Sequence, residues 1–241
     1  MDRQRDEPGG RTRVGSTFGW LLRSGRLPAL LVAIGCSVLL YGFLFSPDFT
    51  VQRVVVRGVA LGDAATVAGV ANTLDDSVIA VDADAIAARV AALPTVERVS
   101  VQTEWPDRVV ILVVERTPAL AWEADGRTLL VDARGHVLIE RDAGELPRLA
   151  VDGAAPEAGD SVPIERVTAA LAIANQLVGQ TSELRWSDAE GFTATLMNGR
   201  TVKLGDAARV PLKLAALSAI LQRTDVWTLL DVSEPDRPYY K

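Results

Sequence analysis

Residues 29–45, ALLVAIGCSVLLYGFLF, hold no charged side chain, and such a run decides where everything on either side of it can go. At 1.5 Å per residue a helix of this length crosses most of a ~30 Å hydrocarbon core, at the short end of the spanning range. Its anchoring members are Ala29, Leu30, Leu31, Leu39, Leu40, Phe43 and Phe45. Arg23 and Arg26 flank the run on its N-terminal side, and the tail before Pro28 sets six Arg against Asp2, Asp6 and Glu7. Such an Arg excess holds its side of a span inside the cell, so residues 1–28 are expected in the cytoplasm and residues 46–241 outside the plasma membrane. A cleaved leader would end in small residues, whereas this run ends Phe43-Leu44-Phe45-Ser46-Pro47-Asp48, which favours an uncleaved anchor. Basic flanks and the abrupt loss of charge weigh against a buried core helix.

With the tail set aside, 28 acidic and 19 basic residues remain, a net charge of about −9. That balance disfavours nucleic acid and anionic lipid as ligands and points to protein partners. The one cysteine, Cys36, lies inside the apolar run. The outer region is therefore built without disulfides and holds together by packing and pairing alone.

The outer region is long enough for one or two domains, and a seam falls near residues 116–121. Before it, VQRVVVRGV at 51–59 is rich in β-branched residues and closes around Gly58, reading as a strand. A short helix over 61–71 takes Gly62-Asp63 as its N-cap region, carries Val67 and Val70 at helical spacing, and stops in the polar cluster 72–77. Asp82 opens a second helix, with Ile86, Val90 and Leu93 at near-helical intervals until Pro94 ends it. Val96, Val99 and Val101 then alternate with polar residues, Trp105-Pro106-Asp107-Arg108 turns the chain, and residues 109–114 return as an apolar strand. The order β-α-α-β-β can bury one face of a three-stranded sheet against two helices.

Four elements of this block resemble a known family. They are V-x-x-V-x-V-x-G from Val51 to Gly58, A-L-P-x-V from Ala92 to Val96, W-P-D-R from Trp105 to Arg108, and V-E-R-x-P-A-L-A-W from Val114 to Trp122. In this order, and directly after an apolar anchor, they look like the membrane-proximal POTRA domain of the FtsQ/DivIB cell-division proteins. The resemblance implies a POTRA-like domain over residues 49–117 and a β domain over 118–241.

In the second block, residues 128–132 and 136–139 read as short strands around the turn Ala133-Arg134-Gly135; L-L-V-D-A-R-G-H-V-L resembles the hairpin that opens the family's β domain. Residues 146–151 precede a turn-rich stretch holding Gly153, Pro156 and Gly159. A helix over 163–178 puts Val167, Leu171, Ala174 and Val178 on one face. Strands follow at 183–186, 192–197 and 201–204, the last two joined by Asn198-Gly199, a strong hairpin dipeptide. A helix over 207–223 stripes Val210, Leu214, Leu217 and Leu221, and residues 227–232 supply a final strand. N-G-x-x-V-K-L-G, a helix containing K-L, and L-L-D-V also resemble the family's β domain. The expected fold class is α+β: an N-terminal transmembrane helix, a β-α-α-β-β POTRA-like domain, then a mixed α/β domain with a mainly antiparallel sheet.

The inventory for catalysis is thin, with a single histidine and no cysteine outside the apolar run. His136 follows Arg134-Gly135 at a strand start, where an ordinary hairpin role outweighs a catalytic or metal-binding one. Asp82/Asp84 and Asp75/Asp76 fall at expected helix boundaries, where Asp caps free amides more often than it forms an acid pair or cation site. Glu115-Arg116 beside Pro118 reads as a salt-bridged corner between domains. No cofactor, metal or small-molecule substrate is expected, and the resemblance implies a protein that is not an enzyme.

The useful surface is then main chain, because an exposed sheet edge accepts a partner strand through ladder hydrogen bonds. Residues 227–232 are the candidate edge, followed by residues 233–241 with no further domain to cover it. In FtsQ/DivIB proteins the region following a V-D-L-like motif carries the surface for DivIC/FtsB and FtsL partners, and Leu230, Asp231 and Val232 stand at that motif. The resemblance thus extends the candidate site to Ser233, Glu234, Asp236, Arg237, Tyr239 and Tyr240. Aromatic rings suit an interface, and Arg237 suits a partner carboxylate. Pro235 and Pro238 cannot donate ladder bonds, which leaves a broken edge strand or a disordered tail as alternatives. Residues 51–56 are a second outer-strand candidate, although β-branched residues are equally what a buried strand requires.

The implied role is a non-enzymatic scaffold that links membrane division proteins at the septum. A membrane-tethered POTRA chaperone or secretion component is one rival, but such proteins usually repeat the domain or follow it with a barrel. A cell-wall-active envelope enzyme and a ligand sensor are the others.

Overall fold

A computed structural model describes residues 26–44, 49–222 and 227–241. Its first helix, α1 (Arg26–Leu44), is RLPALLVAIGCSVLLYGFL and carries no charge after Arg26. Leu31, Val32, Val38 and Leu39 are each at least 65% exposed, so the helix has no buried stripe of the kind that seats a helix in a water-soluble core. The Ser37 hydroxyl donates back to the Ala33 carbonyl at 2.8 Å, which satisfies it within the helix. The stretch with described side chains, residues 27–42, is shorter than the roughly 20 residues a crossing takes. Among the described residues no helix is long and apolar enough to cross a membrane. Of the anchoring residues, Ala29, Leu30, Leu31, Leu39 and Leu40 lie on α1; Phe45 and the side chain of Phe43 lie outside the described residues, as does the basic tail before Arg26.

The chain divides into two compact units. Of the described residues, one comprises those up to Arg53 together with Leu74–Val81 and Thr103–Val109. Here the Val51 N–H donates to Asp76 O at 2.8 Å, the Asp75 N–H to Val51 O at 3.1 Å, and the Val78 N–H to Phe49 O at 2.8 Å. Val51 is completely buried. Arg53 reaches both Asp107 carboxylate oxygens at 2.9 Å, and the Phe49 ring meets Trp105 edge-on at 5.6 Å.

The second unit comprises Val54–Thr73, Asp82–Gln102 and Val110–Lys241. Its helices are α2 (Ala64–Ala71) and α3 (Ala83–Ala91). Asp63 caps α2 by accepting the Ala65 and Thr66 N–H groups, and Asp82 caps α3 by accepting that of Ala85. Arg89 of α3 donates to the Val70 and Ala71 carbonyls near the end of α2, supplying partners that the end of a helix otherwise lacks. Strands β1 (Arg53–Arg57), β2 (Val96–Glu104) and β3 (Arg108–Glu115) form a sheet in the order β1-β3-β2. The apolar β3 takes the centre because Val109, Val110, Ile111 and Val113 are all buried, as a strand with neighbours on both sides requires. β1 is an edge strand, and its three valines are half-buried.

Only Arg116 and Thr117 separate β3 from β4 (Pro118–Ala124), which belongs to a second sheet. β4 is a strand that the sequence reading did not identify, at the seam it drew near residues 116–121. It continues through β5 (Arg127–Asp132), β6 (Val137–Glu140), β7 (Arg148–Val151), α4 (Ile164–Gln176), β8 (Thr181–Ser187), β9 (Gly191–Leu196), β10 (Thr201–Gly205), α5 (Val210–Leu221), β11 (Leu229–Asp231) and β12 (Tyr239–Tyr240). The sheet order is β12-β11-β10-β9-β8-β7-β4-β5-β6.

The sheet is mainly antiparallel, with parallel pairs β4–β7, β7–β8 and β10–β11. The last two arise because α4 carries the chain from β7 to β8 and α5 from β10 to β11, as parallel neighbours require. The core on the helix side includes Leu120, Trp122, Leu149, Phe192, Val202 and Leu230 from the strands, with Val167, Ile173 and Leu217 from the helices. Gln176 of α4 donates to the Ser218 hydroxyl of α5 at 2.9 Å. A smaller cluster of Ala121, Leu130 and Ala143 packs with Leu61, Ile139 and Leu146.

Candidate functional site

The residues that sequence reasoning brings forward gather at one end of this sheet. β11 pairs in parallel with β10, setting Val202 opposite Leu230 and Lys203 opposite Asp231. Leu230 and Val232 are completely buried, so their part in any contact runs through the strand they form. The expected edge, residues 227–232, is not the edge: β12 folds back antiparallel and covers it, with Leu230 opposite Tyr240 and Asp231 opposite Tyr239. The segment thus folds as a hairpin, with Pro235 and Pro238 in the turn before β12. There a missing N–H breaks no ladder bond.

Three contacts seat this turn. The Val232 N–H donates to Lys203 O at 2.8 Å. The Ser233 N–H donates to Asp231 Oδ1 at 2.9 Å, and its hydroxyl bonds the same oxygen. Arg209, just before α5, reaches Asp236 at 2.6 Å; that bond holds the Arg209 guanidinium above its ordinary pKa. Glu234 and Arg237 are exposed, and among the described residues no carboxylate pairs with Arg237. Tyr239 is 60% exposed; the Tyr240 side chain lies outside the described atoms.

Main-chain geometry sets what this edge can do. Lys241 and Leu229 exchange both bonds, Lys241 N–H to Leu229 O at 2.9 Å and Leu229 N–H to Lys241 O at 3.1 Å. In an antiparallel pair such exchanges alternate, so the N–H and C=O of Tyr240 point away from β11. No described strand lies beyond β12. The opposite edge differs, because Val137 of β6 donates to Asp160 O at 3.0 Å and accepts from Gly159 N–H at 2.9 Å.

Other clusters have structural duties. Asp132 accepts the N–H groups of Arg134 and His136 at 2.9 Å, and pairs with Arg116 and the His136 ring at 3.1 Å. Burial pushes the Asp132 carboxyl up, but the His136 and Arg134 N–H donors and the contacts with the His136 ring and the Arg116 guanidinium outweigh it and leave it below the usual range. Of the salt-bridged corner expected at Glu115-Arg116, Arg116 forms an ion pair, with Asp132, whereas the Glu115 carboxylate accepts main-chain N–H groups. Asp84 sits in the first turn of α3. Asp75 and Asp76, expected to cap a helix, instead pair with Val51 through their main chain. Among the described residues no group of three His, Cys, Asp or Glu is placed to hold a metal.

Sequence reasoning passed over Lys213, which is 2% exposed on the inner face of α5 and donates to Asp206 Oδ1 at 2.6 Å and Asp206 O at 3.0 Å. Its spacing from Val210 and Leu217 on one helical stripe was the available signal.

Two family models match the chain: the POTRA domain, FtsQ-type, over residues 49–116, and the Cell division protein FtsQ/DivIB, C-terminal, over residues 120–234. A protein named Cell division protein FtsQ from Streptomyces venezuelae is 31% identical over 232 residues, covering 90% of this chain and 86% of its own length. Proteins of the same name from Mycobacteroides abscessus and Chloroflexus aurantiacus are 30% and 29% identical, covering 88% and 91% of this chain.

Proposed function

Because this chain belongs to the FtsQ/DivIB family of cell-division proteins, we propose that it is a non-enzymatic scaffold of the division machinery, recruiting membrane partners through its outer region. The partners are single-pass division proteins of the DivIC/FtsB and FtsL type. The observation that carries the reading is the open main chain of β12: an ordered edge whose Tyr240 N–H and C=O face outward, flanked by an exposed Tyr239 and Arg237. A partner strand adds there by ladder hydrogen bonds, and the side chains beside it supply selectivity.

α1 serves as the membrane anchor in this account. Its support is a helix without charge after Arg26 whose side chains over residues 28–42 are exposed, preceded by an Arg-rich tail, which orients the tail to the cytoplasm and the two-sheet region to the outside. Confinement to one membrane raises the effective concentration of partner and scaffold, so a small edge contact suffices. Localisation to the division septum of the plasma membrane follows from that partnership.

The test is a direct titration of the outer region with the external segment of a DivIC/FtsB-type partner. Tyr239→Ala combined with Tyr240→Ala weakens binding at least about fivefold, and unchanged affinity would remove these residues from the site.

A further inference from the structure

Lys213 is a lysine almost wholly withdrawn from water, and burying an ammonium costs more than an apolar residue of similar shape would. Its partner, Asp206, keeps 72% of its side chain exposed, so the pair is lopsided: the cation bears the desolvation and the carboxylate does not. What the ammonium holds is the turn between β10 and α5, through both the main-chain oxygen and the carboxylate of Asp206. That bond is also the main reason the Asp206 carboxyl lies below its ordinary pKa.

The turn in question carries the last hairpin. Gly205 has φ +70°, and a Cβ built on it would lie 2.8 Å from Ser233 Cβ and 3.8 Å from Lys213 Nζ. Ser233 therefore rests directly on the Gly205 backbone, with the Lys213 ammonium close by. Arg209, at the far end of the same turn, grips Asp236. The turn at 205–209 thus touches the β11–β12 connection at two places, and Lys213 fixes its shape from inside.

We propose that Lys213 is a positioning residue for the partner edge: by pinning Asp206 it holds the β10–α5 turn against Ser233 and keeps β12 docked on β11. The inference rests on the reading of β12 as the partner site for its functional meaning, but not for its physical content. Methionine at this position keeps an unbranched side chain of similar length in the core and removes only the ammonium that holds Asp206.

Amide hydrogen exchange on the whole outer region tests this, because Thr228, Leu229 and Lys241 all donate across the β11–β12 pair. In Lys213→Met these three amides exchange at least about tenfold faster, while those of β8 and β9 keep their wild-type rates. Asp206→Ala, at an exposed side chain that threatens no core, shows the same selective change to a smaller degree. Wild-type rates at the three amides in both variants, or an equal rise across β8 and β9, would overturn the proposal. Partner affinity falls in step with the loosened edge. A loosened edge with unchanged affinity would leave Lys213 in its positioning role and displace the partner site from β12.

Discussion

The Glu115 carboxylate accepts the Leu61 N–H at 2.6 Å, and takes those of Ala60 and Gly62 at 2.7 Å. Three consecutive amides are thereby satisfied by the last residue of β3, while the Leu61 side chain packs with Ala121, Leu130 and Ala143 of the following block. Next to it the Arg116 N–H donates to Thr95 O at 2.8 Å, and its guanidinium pairs with Asp132. The β3–β4 corner is therefore held on both sides of the chain.

Glu115→Ala is expected to lower unfolding free energy by roughly 1–3 kcal/mol, the cost of stranding partly buried amides, measured by urea denaturation. Burial raises the Glu115 pKa, but the Leu61, Gly62 and Ala60 donors and nearby Arg141 bring it below the ordinary value. A lowered native pKa means stability is fully present above the unfolded-state value, about 4.3, and is lost as pH falls through the native one. Asp132 acts in the same direction. Stability should thus hold from neutrality to about pH 5 and decline below about pH 4, and Glu115→Gln should make that decline shallower.

Gly205→Ala is expected to cost at least about 1 kcal/mol, since alanine resists a positive φ and its Cβ would press on Ser233. The distinguishing outcome lies in where the loss appears. Amides of β11 and β12 should lose exchange protection before those of β9, whereas Gly199→Ala, with nothing within 4 Å of its Cβ position, should leave β12 protected.

Cys36 reports on the anchor. It lies exposed on α1, so in water it would react with a charged maleimide. In intact membranes it should stay unlabelled until detergent is added, while a cysteine placed at the exposed Leu74 should label from the outer side alone. Labelling of Cys36 in sealed membranes would argue against a spanning helix.

Much of the architecture was legible because it rests on local chemistry. Asp63 and Asp82 announce α2 and α3 as caps, β-branched density marks β3, and Asn198-Gly199 closes the β9–β10 hairpin with Gly199 at φ +79°. What escaped depends on contacts distant in sequence. β4 runs Pro-Ala-Leu-Ala-Trp-Glu-Ala, too rich in alanine to advertise a strand, and it is one because β5 and β7 flank it. β12 is two residues long beside a proline, so only its pairing with β11 defines it. The burial of Lys213 was only half legible: its spacing places it on the stripe of Val210 and Leu217, but its partner Asp206 is fixed by the fold of the preceding turn.

The most direct test of the central claim is the exchange rate of the Tyr240 amide, followed by NMR while the external segment of a DivIC/FtsB-type partner is added. That N–H faces away from β11, so it should be unprotected in the free protein and become protected on binding, while the Lys241 amide, already bonded to Leu229, changes little. Binding that leaves the Tyr240 amide exchanging at its free rate would contradict strand addition at β12.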